Sequence, residues 1–228
     1  MWRLLIGVLV FWGSLGGSVE AFTGSLAVHV HQRSFKDERL GSMNGFKKLK
    51  PEFEVLMGFH EFYPRIEPIF AVSYTKSNAT ACAVEDDGFT CLPADQQTGN
   101  QDQFRAKMAK FGLGGQWKAW EPEFFALIPR VSAQLAYRHV WLEKATASSS
   151  GVNKINGGDF GVDLGGGFVW SFMYDQKRKA EMSSEWGLKD FGLSVQARYI
   201  LAGLMKNGLG GISGTGGWSF GAGLLLDW

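Results

Sequence analysis

Trp218-Ser219-Phe220-Gly221-Ala222-Gly223-Leu224-Leu225-Leu226-Asp227-Trp228 carries an apolar side chain at every even position. Successive side chains of a strand point to opposite faces, so a run with period two predicts a β-strand with one apolar face. This one ends on an aromatic residue, and its odd positions include Ser219, Gly221 and Gly223.

The same alternation recurs seven times upstream, in segments of about the length a tilted strand needs to cross a bilayer. The first, Thr23 to Phe35, sets Leu26, Val28 and Val30 against Ser25, Ala27, His29 and His31. The second, Pro51 to Phe62, sets Phe53, Val55, Met57 and Phe59 against Glu54, Gly58 and His60. The third, Ile66 to Ser77, opposes Ile66, Phe70, Val72 and Tyr74 to Glu67, Ala71, Ser73 and Thr75. In the fourth, Phe104 to Trp117, the apolar face is Phe111, Leu113 and Trp117, and the other is Lys110, Gly112, Gly114 and Gln116. The fifth, Phe125 to Leu142, turns Val131, Ala133, Leu135 and Tyr137 one way and Arg130, Ser132, Gln134 and Arg138 the other. The sixth, Asp159 to Phe172, sets Phe160, Val162, Leu164, Phe168 and Trp170 against Asp163, Gly165, Gly167 and Ser171. The seventh, Gly187 to Ala202, sets Phe191, Leu193, Val195, Ala197, Tyr199 and Leu201 against Asp190, Ser194, Gln196 and Arg198.

Eight such segments predict an all-β fold, an eight-stranded antiparallel up-and-down transmembrane β-barrel over residues 22–228. The apolar faces point out to lipid, and aromatic residues gather near both predicted ends of the strands. Loops are expected at Lys36 to Lys50, Asn78 to Gln103, Glu143 to Gly158 and Gly203 to Gly217, with turns at Tyr63-Pro64-Arg65, Lys118 to Glu123 and Met173 to Trp186. The competing arrangement is a soluble lipocalin-like barrel with its apolar residues inside. The charged opposite face would line a greasy pocket poorly.

Residues 1–21 read as a cleavable secretory signal: Arg3, then the apolar run Leu4 to Trp12, then small residues up to Ala21. An uncleaved anchor is the alternative, but the run is short of the roughly 20 residues a spanning helix needs. In an exported chain the two cysteines, Cys82 and Cys91, predict a disulfide closing a short loop. The near-neutral balance, net +1 over 228 residues, argues against a nucleic-acid partner.

The inward set mixes Glu54, Glu67, Asp163 and Asp190 with Lys110, Arg130, Arg138 and Arg198. Eight strands enclose a space that side chains can nearly fill, and buried charges of both signs pair, so a filled interior polar network is expected and a wide pore is not. If Ser34 lies opposite Pro51, His31 faces Glu54 and His60 lies several residues along the barrel from His29. That spacing favours a His31–Glu54 pair over a metal site, and no metal or other cofactor is called for. No catalytic motif stands out, and an inward histidine is badly placed to attack an acyl chain in lipid. Among the loops, Lys47, Lys48 and Lys50 belong to a basic cluster suited to lipopolysaccharide phosphates or another anionic surface polymer. The acidic run Glu85-Asp86-Asp87 matches no calcium-loop spacing.

Signal, eight amphipathic strands, long alternate loops and the final aromatic together resemble the small outer-membrane barrels of the OmpA and OmpX type, with the OmpW-like barrels as more distant relatives. Gly223, Leu226 and Trp228 fall at the glycine, hydrophobic and terminal-aromatic positions of that class's membrane-insertion signal, although Trp228 replaces the more usual phenylalanine. The resemblance implies insertion by the barrel-assembly machinery, contact with outer-membrane lipid and lipopolysaccharide, periplasmic termini and a monomer. It implies a structural or surface-interaction role through the loops. A narrow channel for ions or small molecules, hydrophobic ones included, is the second reading, and a lipid A-modifying enzyme the third.

Overall fold

The computed structural model describes residues 24–35, 51–59, 63, 65–76, 80–82, 102–120, 126–145, 152–173, 180–183, 187–207 and 216–228. Their strands are β1 (Ser25–Phe35), β2 (Glu52–Gly58), β3 (Ile66–Lys76), β4 (Thr80–Cys82), β5 (Asp102–Lys118), β6 (Leu127–Ala145), β7 (Val152–Ser171), β8 (Asp190–Asn207) and β9 (Gly217–Asp227). All pair antiparallel in the order β3-β2-β1-β9-β8-β7-β6-β5-β4, and β3 also pairs with β5. Short β4 continues the stave of β3 along the same partner. The sheet is therefore a closed up-and-down barrel of eight staves. Closure leaves no free edge, so every wall strand is bonded on both sides.

Period two in the sequence becomes inside and outside in the barrel. On β9, Trp218, Phe220, Ala222 and Leu224 are exposed while Gly217, Ser219, Gly221 and Leu225 are buried. Leu113 is 66% exposed, Val195 61%, Phe220 57% and Leu135 56%. The buried residues, by contrast, include Glu54, Lys110, Arg138 and Asp163. An apolar belt of this extent has no place on a monomer in water, where large contiguous patches are rare. It is the surface of a barrel that spans a membrane, and it inverts the lipocalin-like arrangement.

Several boundaries differ from expectation. The sixth segment, expected from Asp159, begins at Val152, and the fifth runs on to Ala145, so backbone pairing from Ala145–Val152 to His139–Gly158 occupies most of the loop expected over 143–158. The seventh continues to Asn207, with a register shift between Phe160 and Gly161 that skips Gly203 and Leu204. Where a wall strand has left lipid, alternation is no longer demanded, although the ladder can continue.

The first hairpin also differs. His31 is opposite Glu52 and His29 opposite Glu54, two residues away from the expected Ser34–Pro51 register. The turn after β2 closes tightly: Tyr63 bridges Ile66, and Arg65 sits at φ 68°. Between β7 and β8, residues 180–183 form a single helical turn. The expected signal at 1–21, His60, Lys47, Lys48, Lys50 and Cys91 lie outside the described residues. Of the expected disulfide, the structure therefore gives only the backbone of Cys82, in β4.

Replacing Leu135 by Arg near the middle of the belt is expected to cost about 2–4 kcal/mol. Equilibrium urea unfolding in lipid vesicles, followed by tryptophan fluorescence, measures it.

Candidate functional site: a filled barrel interior

The interior is stacked in three layers. At the end where β1 begins and β9 finishes, Ser25 donates a hydrogen bond to Glu67, and Lys118 lies 3.2 Å from Asp227 and 3.5 Å from Glu67. Ser171 donates to Asp190, whose carboxylate also accepts from the Phe191 amide at 2.8 Å. Asp190 thus belongs to this end layer and not to the central cluster.

Above it lies an apolar ring. Ala27, Leu56, Ile69, Ile128, Val169 and Leu225 are all buried, and Trp120 folds in against them. Register explains the ring: Ala27 is opposite both Leu56 and Leu225, and Ile128 is opposite Val169. Trp120 is held by its indole N–H, which donates to the Leu127 carbonyl at 3.0 Å. Of these residues only Ala27 is among those expected to face inward. Each nonetheless has inward parity, as Leu56 does between Glu54 and Gly58.

The central layer is built on Glu54. Its carboxylate accepts from both terminal nitrogens of Arg198 and from Lys110 Nζ. Lys110 reaches on to Asp163 at 3.4 Å, and Arg138 donates to the same aspartate. Arg33 stands 3.6 Å from Glu52, which also accepts from Ser73. Strand pairing prepares this: Glu54, Ser73, Lys110, Arg138 and Asp159 are successive register partners across five strands. Glycines provide the room. A side chain at Gly221 would collide with the His31 ring, and one at Gly165 would press on Arg198.

His31 Nε2 lies 3.6 Å from Glu54 and 3.1 Å from the Gln196 amide, so the expected neighbours stand together despite the shifted register. His29 approaches the same carboxylate at 3.9 Å and meets Ser194 Oγ at 2.5 Å. His29, His31 and Glu54 bring ligand atoms within 4.8 Å of one another. They fit a divalent cation poorly, because Arg198 and Lys110 already place two positive charges on that carboxylate. Ser194, His29 and Glu54 also stand in the order of a hydrolytic triad. The cavity beside them, bounded by Arg130 and Gln116, has about 20 Å³. That volume suits a water molecule and not an acyl chain.

Arg130 is buried, with Nε and Nη1 lacking a hydrogen-bond partner among the described residues. Of the expected insertion-signal residues, Gly223 pairs with His29 and Ser194, Leu226 with Leu26 and Phe191, and the Trp228 backbone with Gly24.

No family model and no curated protein matches the chain. Among solved structures it is similar to the N-terminal β-barrel domain of Pseudomonas aeruginosa OprF, at 14% identity over 90% of this chain and 99% of that one, with a TM-score of 0.40. It is similar to Ail, the attachment invasion locus protein of Yersinia pestis, at 11% identity over 89% and 96%, TM-score 0.42. Neisserial surface protein A gives 13% identity over 90% and 96%, TM-score 0.44. The closed wall of eight staves rests on this chain's own strand pairing.

Glu54→Gln strands Arg198 and Lys110 without their shared counter-charge and is expected to cost about 3–5 kcal/mol. Glu143→Gln, at the half-exposed Lys107–Glu143 pair, is expected to cost less than about 1 kcal/mol. Urea titrations of the two variants side by side give the comparison.

Proposed function

We propose that the chain is an integral outer-membrane protein whose barrel is a sealed scaffold, with both mature termini periplasmic, acting through the loops at the opposite end. The observation that carries this reading is the blocked interior: an apolar ring lies across the barrel between two layers of paired charges. A scaffold needs no passage, and this one offers little. Partners then meet the outside of the protein, either lipid along the belt or molecules reaching the loops. The basic residues Lys47, Lys48 and Lys50 suit lipopolysaccharide or another anionic surface polymer. Insertion would use the barrel-assembly machinery through the strand that contains Gly223, Leu226 and Trp228, and the closed wall suits a monomer.

Two other readings make different demands. A conduit has to part the ring and break the Glu54 and Asp163 ion pairs. A lipid A-modifying enzyme needs a nucleophile facing lipid, whereas the Ser194–His29 pair faces a cavity of one water's size.

Outer-membrane fractions run on gels with and without boiling are expected to show the heat-dependent shift of a folded barrel, and purified protein in planar bilayers to show no steady conductance. A steady current that changes with Arg138→Ala would replace the scaffold by the conduit. An altered lipid A mass spectrum in an expressing host, restored by replacing His29 or His60, would replace it by the enzyme.

A further inference from the structure

The other cations that face into the barrel stand beside carboxylates. Arg33 has Glu52, Lys110 and Arg198 share Glu54, Arg138 holds Asp163, and Lys118 lies between Glu67 and Asp227. Arg130 is buried as they are, at 7% exposure, yet forms no ion pair with a described residue. Its register partner on β5 is a second cation, Lys118, and on β7 it is Gly167, which has no side chain to offer. Asp190 lies within its electrostatic reach, but that carboxylate is bonded to Ser171 and the Phe191 amide.

Arg130 lines the cavity of about 20 Å³ beside the apolar ring. The polar residues around that space are Gln116, Arg130, Ser132, His29, Ser194 and Gln196, and none is a carboxylate. Their acceptors are largely engaged. Gln196 Oε1 accepts from Arg198 at 3.0 Å, its amide nitrogen meets His31, and His29 is bonded to Ser194. Donors are left over: Arg130 Nε and Nη1, and the Gln116 amide nitrogen, are buried without partners. Glycine keeps the space open, since a side chain at Gly167 would run into the backbone of Val195 and Gln196.

We propose that this cavity binds a small monovalent anion of halide size, chloride above all, as the counter-ion of Arg130. A guanidinium only donates, so an occupant has to accept, and a site rich in donors and without a carboxylate repels cations. One water could take a hydrogen bond from Arg130 but would leave the charge uncompensated in a low-dielectric interior, where an unpaired ion is far costlier than a paired one. A halide is little larger than a water molecule and supplies the missing charge, whereas a phosphate or an organic acid is too large for the space. The ion would complete the pairing that the rest of the interior achieves with side chains. This inference concerns the inside of the barrel and does not depend on the role proposed for its loops.

The test uses the purified, folded protein. Crystals grown in bromide are expected to show an anomalous peak in the cavity beside Arg130. In urea unfolding at constant ionic strength, replacing gluconate by chloride should raise the folded-to-unfolded ratio saturably, by about a hundredfold when chloride is a hundred times its dissociation constant. Arg130→Gln should lose both the peak and the chloride dependence. Gln116→Glu, which supplies a carboxylate of the same shape, should fold and lose both as well. If Arg130→Gln does not fold, Gln116→Glu and the unaltered chain decide. The proposal is overturned by Asp190 turned onto Arg130 with no bromide peak, or by a water alone in the cavity. A bromide peak without a saturable effect on unfolding means an adventitious ion only and overturns it too. So does a chloride dependence that survives in either variant, which would be a general salt effect.

Discussion

Hydrocarbon offers no hydrogen bonds, so a chain that crosses it must satisfy its backbone from within. Eight strands closed by the β1–β9 and β3–β5 pairings do this, and the remaining features follow from that closure. A closed pleated wall assigns alternate side chains to lipid and to the interior. The lipid side must be apolar, and the inner side must fill a narrow space with groups that satisfy one another. Glu54 with Arg198 and Lys110, and Asp163 with Arg138, are how this sequence meets the second demand.

Parity was legible in the sequence because it is a local property. Leu26, Val28 and Val30 against His29 and His31 needs only one strand to be read, and the same holds for the other seven. Register was not, for a reason internal to the sheet. A one-residue slip turns a strand inside out and is excluded by pattern, whereas a two-residue slip preserves every face. The hairpin of β1 and β2 differs from expectation by such a slip, which moved His29 into line with Glu54 and His31 into line with Glu52. His31 still reaches Glu54, because long side chains bridge diagonal neighbours.

The apolar ring was hidden for a related reason. Leu56, Ile69, Ile128, Val169 and Leu225 are single apolar residues on inward faces, and each reads as noise when its strand is taken alone. Only cross-strand alignment brings them to one depth. The extension of β6 and β7 was concealed by the opposite circumstance: Asn153 to Gly158 carry no apolar–polar alternation, although their backbones are paired. Loop residues such as Lys47, Lys48 and Lys50 are legible only as charge.

The ring has one more consequence. Its side chains come from six strands, β1, β2, β3, β6, β7 and β9, and pack against one another inside the barrel, with Arg130 and Gln116 sharing the small cavity beside four of them. A change of volume at any one of the six is therefore felt by walls far apart in the chain, so the ring ties the barrel together across its width as well as around its circumference.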